Sequence, residues 1–339
     1  METRNNSERY LLCRPLGGLN DVLCQVEFAR RIAKRTKRKL LVQTEPGTPG
    51  LKHRFRQQFS ELFDFLDTES VTDSSNLESI LSQVSKIYPD LYASLGTWVD
   101  KSLEERTGGM QVQSRLERTP PRKPQVVVHE GFGGGMASFQ LLQHVTISSR
   151  VLDSVFEVKR KLPPVCAAIH FRNTDHQSSY AVLKEAISRV DALTPILIAT
   201  DDGSVVARLM EEYPSREFIS ASSIVAEAAP RSPVEAAIQE MILLASCSQL
   251  ELIPLDLKES STPSFSGFGR LTQHIWTVQR IQEHGLSVLK SEVLKLALES
   301  SRRRRNPLRL IVFAAIRAVE LVVHSYQSKG VYRQLMDKL

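Results

Sequence analysis

Residues 10 to 42, YLLCRPLGGLNDVLCQVEFARRIAKRTKRKLLV, restrict the fold more than any other part of the chain. They run as an apolar strand, a glycine turn, an amphipathic helix and a second apolar strand. Tyr10 to Cys13 is short and apolar, and Gly17 and Gly18 turn the chain. Asn20 or Asp21 caps a helix that has Val22, Val26, Ala29 and Ala33 on one face. Leu40 to Val42 restores a strand pattern. A βαβ unit of this kind implies a parallel sheet whose ligand-binding loops lie at the strand C-termini.

The alternation returns in the second half. ISSRVLDSVFEVKRKLPP (147–164) reads as a helix stopped by two prolines, and VCAAIHFR follows as a buried strand. YAVLKEAISRV is then a helix, PILIAT a strand, DDGSVVARLMEEYP a capped helix and EFIS a short strand. The pattern continues through EAAIQEMILLASC, LELIPLD and SSTPSFSGFGRLTQHIWT. It predicts a second Rossmann-like sheet over about residues 160–285, followed by helices. Between the two sheets, about 55–118 is Ser-rich and reads as helical, with FRQQFSELFDFL and LESILSQVSKIY the clearest pieces. TPPRKP (119–124) breaks the chain, and QVVVHEGFGGG runs as a strand into a glycine loop that matches neither GxGxxG nor a Walker lysine motif.

At 339 residues the chain is long enough for two domains with separate cores. Its first residues, METRNNSERYLLC, show no basic start followed by an apolar stretch, so a cytoplasmic, reducing setting is expected. Cys13, Cys24, Cys166 and Cys247 match neither zinc-site spacing nor a disulfide framework and read as small core hydrophobes. The net charge of +6 is unevenly placed, with RRIAKRTKRK at 30–39 and RRRR at 302–305. Each block is either a solvated helix face or a contact for an anionic partner. No aromatic stacking pattern or nucleic-acid motif accompanies them, so nucleic acid is not expected as a partner.

AAIHFRNTDH (167–176) raises the question of function. Strand spacing puts Ala168, His170 and Arg172 on one face and Ala167, Ile169 and Phe171 on the other. Arg172 follows the strand, Asp201 and Asp202 follow the next, and Ser264 and Ser266 follow a later one. An open parallel sheet brings such loops to one edge. Arginine suits a diphosphate there, because its planar fork makes charge-assisted hydrogen bonds and keeps its charge while a leaving phosphate gains one. Each residue also has a plainer reading: a core histidine for His170, a helix cap for the aspartates, a brace on Arg172 for Asp175. The two adjacent aspartates make a thin metal site, and no metal is expected.

AIHFRNTD resembles the His-x-Arg-x-x-Asp segment of the α1,6-fucosyltransferases, the rhizobial nodulation fucosyltransferase and the protein O-fucosyltransferases. LIATDDGSVVARLMEEYPSREFIS is similar to the segment that follows in the α1,6 enzymes. PSFSGFGR looks like their later Phe-Ser-Ser segment, and PLGGLNDVLCQVEFARRIAKRTKRKLLV like the opening strand, turn and helix of these families. The resemblance implies an α/β fold of the GT-B type, with two Rossmann-like domains facing a cleft and a C-terminal helical segment. Residues 1–155 would form an acceptor-side domain with its glycine turn at 17–21, residues 156–285 the nucleotide-sugar-binding domain, and 286–339 the C-terminal helices. It further implies a metal-independent, inverting transfer of fucose from GDP-fucose to a glycan or glycoconjugate, with no cofactor beyond the donor.

Carried over residue by residue, Arg172 would hold the β-phosphate and His170 would help to hold the nucleotide. Asp201 or Asp202 would meet the guanine edge and Ser266 a phosphate oxygen, with Ser264 beside it. Gly18, Asn20 and Asp21 would face the donor across the cleft. The sequence departs from the pattern at Asn173, where the α1,6 enzymes carry a second arginine, and at Tyr180, where a glutamate is expected. Asp175, Asp21 and Glu130, in that order, are the candidates for the carboxylate that takes the acceptor proton. A catalytically silent nucleotide-binding relative is the alternative.

The tail RRRRNPLRLIVFAAIRAVELVVHSYQ has a basic start and an apolar helix in which Arg309, Arg317, Glu320 and His324 form one polar stripe. It is too short and charged to span a bilayer. The pattern fits a helix packed against the domains. The alternative is peripheral attachment to an anionic membrane surface, which would make the chain a basic peripheral protein.

Overall fold

The computed structural model describes residues 8–44, 57–67, 71–72, 77–82, 87–88, 124–132, 135–173, 178–255, 265–285, 318–319, 321–327 and 329–338. Asp175, Ser264, the RRRR run at 302–305, Arg309, Arg317 and Glu320 lie outside these residues. The chain divides into two compact units between Ser148 and Ser149, with residues 232–234 belonging to the first.

In the first unit, β1 (Tyr10–Leu16), α1 (Leu19–Thr36) and β2 (Lys39–Val42) form the βαβ unit that the N-terminal run predicts. The apolar face of α1, including Val22, Val26, Ala29 and Ala33, is buried, and each large aliphatic side chain buried in this way contributes about 1.5–3 kcal/mol. Lys37, in left-handed conformation at φ 52°, ends the helix by donating its N–H to the Ala33 and Lys34 carbonyls. Parallel to β1 on its other side runs β6 (Val126–Phe132), in register from Tyr10 opposite Val126 to Leu16 opposite Phe132. With β4 (Val71–Thr72) and β5 (Ile87–Tyr88) at its edges, the sheet has the order β4-β2-β1-β6-β5 and is parallel throughout.

Among the described residues of 55–88, part of the segment departs from the helical reading. One helical turn, Phe59–Leu62, passes directly into β3 (Phe63–Phe65), which pairs antiparallel with β7 (Val145–Ile147). The Phe59 and Phe63 rings stack at 5.0 Å. In LESILSQVSKIY the described residues give a helix at Leu77–Ser82 and a strand at Ile87–Tyr88 that joins β6. In both cases the strand partner is remote in sequence, so local periodicity carries no sign of it.

The second unit begins with α2 (Ser149–Lys159). It continues through β8 (Ala167–Phe171), α3 (Tyr180–Ser188), β9 (Ile196–Thr200), α4 (Gly203–Glu212), β10 (Phe218–Ser220), α5 (Ala221–Glu227), α6 (Pro233–Ala245), β11 (Gln249–Leu252) and α7 (Gly267–His284). Its parallel sheet has the order β10-β9-β8-β11. On one face Ala167, Ile169 and Phe171 share a core with Leu183 and Ile187 of α3 and Val205 and Leu209 of α4.

The C-terminal residues pack back onto α7. His274 Nε2 lies 3.0 Å from His324 Nδ1, and both rings lie against Tyr332 of the helix Gly330–Met336. His324, read from the sequence as part of a polar stripe, is therefore a buried packing residue, while Val319 and Tyr326 are exposed. Among the described residues no helix is long and apolar enough to cross a membrane.

Register places Arg14 of β1 opposite Glu130 of β6, and their side chains form a buried ion pair at 3.1 Å. Glu130, weighed above as a proton acceptor, is thus half of a pair that ties the two central strands together. Truncating one partner leaves the other charge buried and uncompensated, at a cost of about 3–5 kcal/mol. Glu130→Ala is expected to lower stability by about that amount in urea titrations. A fully stable Glu130→Ala protein would show that the ion pair is not structural.

Candidate active site

In both sheets the strand order reverses beside the first strand of the unit: the chain runs outward from β1 to β2 and β4, and from β8 to β9 and β10, while β6 and β11 are added on the other side. In open parallel sheets the loops at the C-terminal ends of such a strand pair are where ligands bind. The sequence-derived candidates that are described gather at these two places, one in each unit.

At the first, Gly17 has φ +110°, and a Cβ there would come within 2.7 Å of the Asp21 side chain, so only glycine fits. Gly18 caps α1, and its N–H donates to Asp21 Oδ2 at 3.3 Å. Asn20 donates from Nδ2 to the Gly135 carbonyl at 3.3 Å and accepts from Ser138 Oγ at 2.7 Å, bridging the loops after β1 and β6. His129 Nε2 meets Gln25 Oε1 at 2.8 Å nearby. Gly18, Asn20 and Asp21 therefore build the turn itself, and the Asp21 carboxylate serves the helix N-terminus.

At the second, β8 is paired on both sides, with His170 opposite Ala199 of β9 and Leu252 of β11. His170 points away from the core that holds Ile169 and Phe171, toward the start of α7. Its ring lies 5.2 Å from that of Phe268. A Cβ on Gly269 would sit 3.3 Å from His170 Nδ1 and 3.1 Å from Ser266 Oγ, so the missing side chain is what lets histidine, serine and helix meet. Ser266 caps α7, its Oγ accepting the Gly269 N–H at 2.9 Å.

Arg172 is half-buried just beyond β8, with its Nε 3.9 Å from Asp201 Oδ2, a Coulombic contact longer than a hydrogen bond. Asp201 is itself solvent-exposed. Asp201 Oδ1 accepts the Asn173 N–H at 2.7 Å, and Asn173 Nδ2 donates to Asp202 Oδ2 at 2.9 Å. The two aspartates after β9 thereby fix the loop that carries Arg172. Asp202 also caps α4, its Oδ1 accepting from the N–H and hydroxyl of Ser204, which holds its carboxyl below the usual range. Asn173, noted from the sequence only as a missing arginine, is the link between the two loops.

Glu240 of α6 is a residue the sequence reading missed. Burial, reinforced by the negative charge of Asp201, pushes its carboxyl up to about 7. No hydrogen bond or ion pair to Glu240 is found among the described residues, whereas Glu235, on the same helix, is held bidentately by Arg150 at 2.7 and 2.8 Å. The one available signal was two acids inside the otherwise apolar EAAIQEMILLA. Tyr180, where a glutamate was expected, starts α3 with its ring 3.9 Å from the Arg208 guanidinium, a packing role. Among the described residues no group of three or more His, Cys, Asp or Glu side chains is placed to hold a metal ion.

Burial, with the Arg172 charge adding to it, lowers His170 to about 4, and burial alone lowers His129 to about 4. Both rings are neutral near pH 7; His129 is hydrogen-bonded to Gln25 and His170 packs against Phe268. The unfolded chain binds these protons near pH 6.5 and the folded chain only near 4, so stability rises with pH across that window and falls on acidification through it. Each site accounts for on the order of 3 kcal/mol at most. Urea midpoints measured from pH 7 to 4 are expected to fall, and His129→Gln is expected to flatten part of the slope. An unchanged slope would place the acid sensitivity elsewhere.

No protein-family model and no curated protein sequence matches the chain. Solved structures do. A NodZ α-1,6-fucosyltransferase soaked with GDP-fucose superposes with TM-score 0.52 at 16% identity, over 78% of this chain and 92% of that one. The fucosyltransferase NodZ from Bradyrhizobium superposes with TM-score 0.51 at 15% identity, over 78% and 93%. POFUT1 in complex with GDP gives 0.50 at 12% identity, over 82% and 96%. The chain thus has the GT-B fold of these fucosyltransferases, with a Rossmann-like parallel sheet in each unit.

Proposed function

We propose that the chain is a glycosyltransferase that takes a GDP-sugar, with fucose as the transferred sugar, and passes it with inversion to a glycan or glycoconjugate hydroxyl. The observation that carries this reading is the placement of Arg172, His170 and Ser266 at the strand-order reversal of the second sheet. There a guanidinium, a neutral imidazole and a helix N-terminus converge at the edge where such sheets bind nucleotides. Two of the structures that share the fold were solved with GDP-fucose or GDP, which supports the choice of donor.

In this reading Arg172 holds the β-phosphate and neutralises the charge that builds on it as the glycosidic bond breaks, a role that requires no metal ion. The Asn173 bridge to Asp201 and Asp202 keeps the guanidinium in place, so transition-state charge meets a preorganised cation. His170 and the α7 N-terminus complete the phosphate cradle, and the loop of Asp201 and Asp202 lies beside the base. Asp175 is the proposed acceptor of the hydroxyl proton. Of its rivals, Asp21 caps α1 and Glu130 is paired with Arg14.

A second reading, a nucleotide-binding protein without transfer activity, is favoured by one observation. Tyr180 stands where a carboxylate is expected and packs against Arg208.

Thermal shift and donor turnover separate the two. GDP is expected to stabilise the wild-type chain with or without chelator, and Arg172→Ala to lose that shift together with turnover, by about 10²–10³-fold or more. An Arg172→Ala protein with wild-type GDP stabilisation would refute the proposed phosphate site. Asp175→Asn is expected to keep the GDP shift and lose turnover by about 10²–10⁴-fold. GDP stabilisation of the wild type without any transfer would establish the second reading.

A further inference from the structure

The four cysteines do not share one fate. Cys13 and Cys24 are buried in the first unit, where burial pushes both thiols up and keeps them inert. Cys166 and Cys247, separated by 81 positions, bring their Sγ atoms to 3.0 Å as free thiols. Their backbones are already neighbours: Cys166 immediately precedes β8, Cys247 lies just before β11, and Ser248 donates its N–H and hydroxyl to the Cys166 carbonyl at 2.9 and 2.7 Å. The Cys247 carbonyl is held by Trp276 Nε1 and Arg280 Nη2, each at 3.0 Å. A disulfide requires sulfurs at roughly 2.05 Å on adjacent backbones, so bonding needs a small side-chain shift and no rearrangement of the sheet.

Two further features distinguish this pair from an ordinary packing contact. Cys166 lines a cavity of about 1000 Å³ at the N-terminal edge of the second sheet, opposite the edge that carries Arg172, and Lys159, Arg160, Arg280 and Lys338 line it too. The cavity gives a small oxidant a route to Cys166. The hydrogen bond with Cys247, together with the Lys159 charge, holds the Cys166 thiol below its usual range, while Cys247, hydrogen-bonded to Cys166 and buried, is pushed up. Cys247 Sγ also lies 3.5 Å from the Leu243 carbonyl. Cys166 lines the cavity and Cys247 does not, so Cys166 is the sulfur an oxidant meets first and Cys247 the thiol placed to resolve it.

We propose that Cys166 and Cys247 are a reversible dithiol–disulfide pair, oxidised by hydrogen peroxide that reaches Cys166 through the adjoining cavity. In the first step the Cys166 thiolate attacks a peroxide oxygen, the O–O bond breaks, and the departing hydroxide takes a proton to become water, leaving a sulfenic acid. In the second, Cys247 Sγ attacks the Cys166 sulfur, the sulfenic hydroxyl leaves with the Cys247 proton as water, and the S–S bond forms. Two thiols give up two electrons and the peroxide is reduced to two waters. The new bond crosslinks β8 to the turn before β11, the strands whose opposite ends frame Arg172 and the approach to Ser266. The proposal is independent of the transferase reading.

Exposure of the full chain to hydrogen peroxide, followed by denaturing alkylation and peptide mass spectrometry, tests it. The expected product is a linked Cys166–Cys247 peptide pair that dithiothreitol separates, formed at least roughly tenfold faster than any oxidation of Cys13 or Cys24. In Cys247→Ser, dimedone is expected to trap a sulfenic acid at Cys166. In Cys166→Ser, Cys247 is expected to remain an alkylatable thiol. Oxidation of all four cysteines at similar rates, or conversion of wild-type Cys166 to sulfinic acid with no linked pair, would overturn the proposal.

Discussion

Parallel strand pairing is the constraint on which the rest depends. Strands that run the same way must be joined by crossovers, so all their C-terminal ends collect at one edge, and the loops there are the only parts free to vary. In each unit the strand order reverses between β1 and β6 and between β8 and β11, the kind of position at which such sheets bind ligands. Residues as far apart as His170 and Ser266 become neighbours for this reason alone. Moving either strand of such a pair by one residue would turn every side chain to the opposite face and dismantle the site.

Close approach then selects particular residues at those positions. Gly17 leaves room for Asp21, and Gly269 leaves room for both Ser266 and His170. The ionisable groups nearest these sites follow one logic: a buried group is matched, as in Arg14 with Glu130 or Glu235 with Arg150, or it stays neutral, as His129 and His170 do. The Glu240 carboxyl is instead pushed up by burial and by a negative neighbour, Asp201.

The physical reading divides the second unit into two ends with different chemistry. The C-terminal edge offers a fixed guanidinium braced by two aspartates through Asn173. The N-terminal edge offers a paired dithiol beside a cavity lined by both cationic and acidic side chains. Both ends share the strand β8. The rigidity that sets Arg172 in place is the rigidity that holds Cys166 against Cys247.

The α/β class, the βαβ opening, the strand carrying His170, the aspartate cap after PILIAT and the Arg172 candidate were legible in the sequence. Each depends on hydrophobic period or turn chemistry within a few residues. Tertiary structure alone decided that Phe63–Phe65 is a strand, that Glu130 is paired with Arg14, that Glu240 feels Asp201 and that two cysteines 81 positions apart touch. Those outcomes are set by contacts between distant segments. Local pattern records whether a residue wants to be buried, while the identity of its neighbour exists only once the sheets have closed.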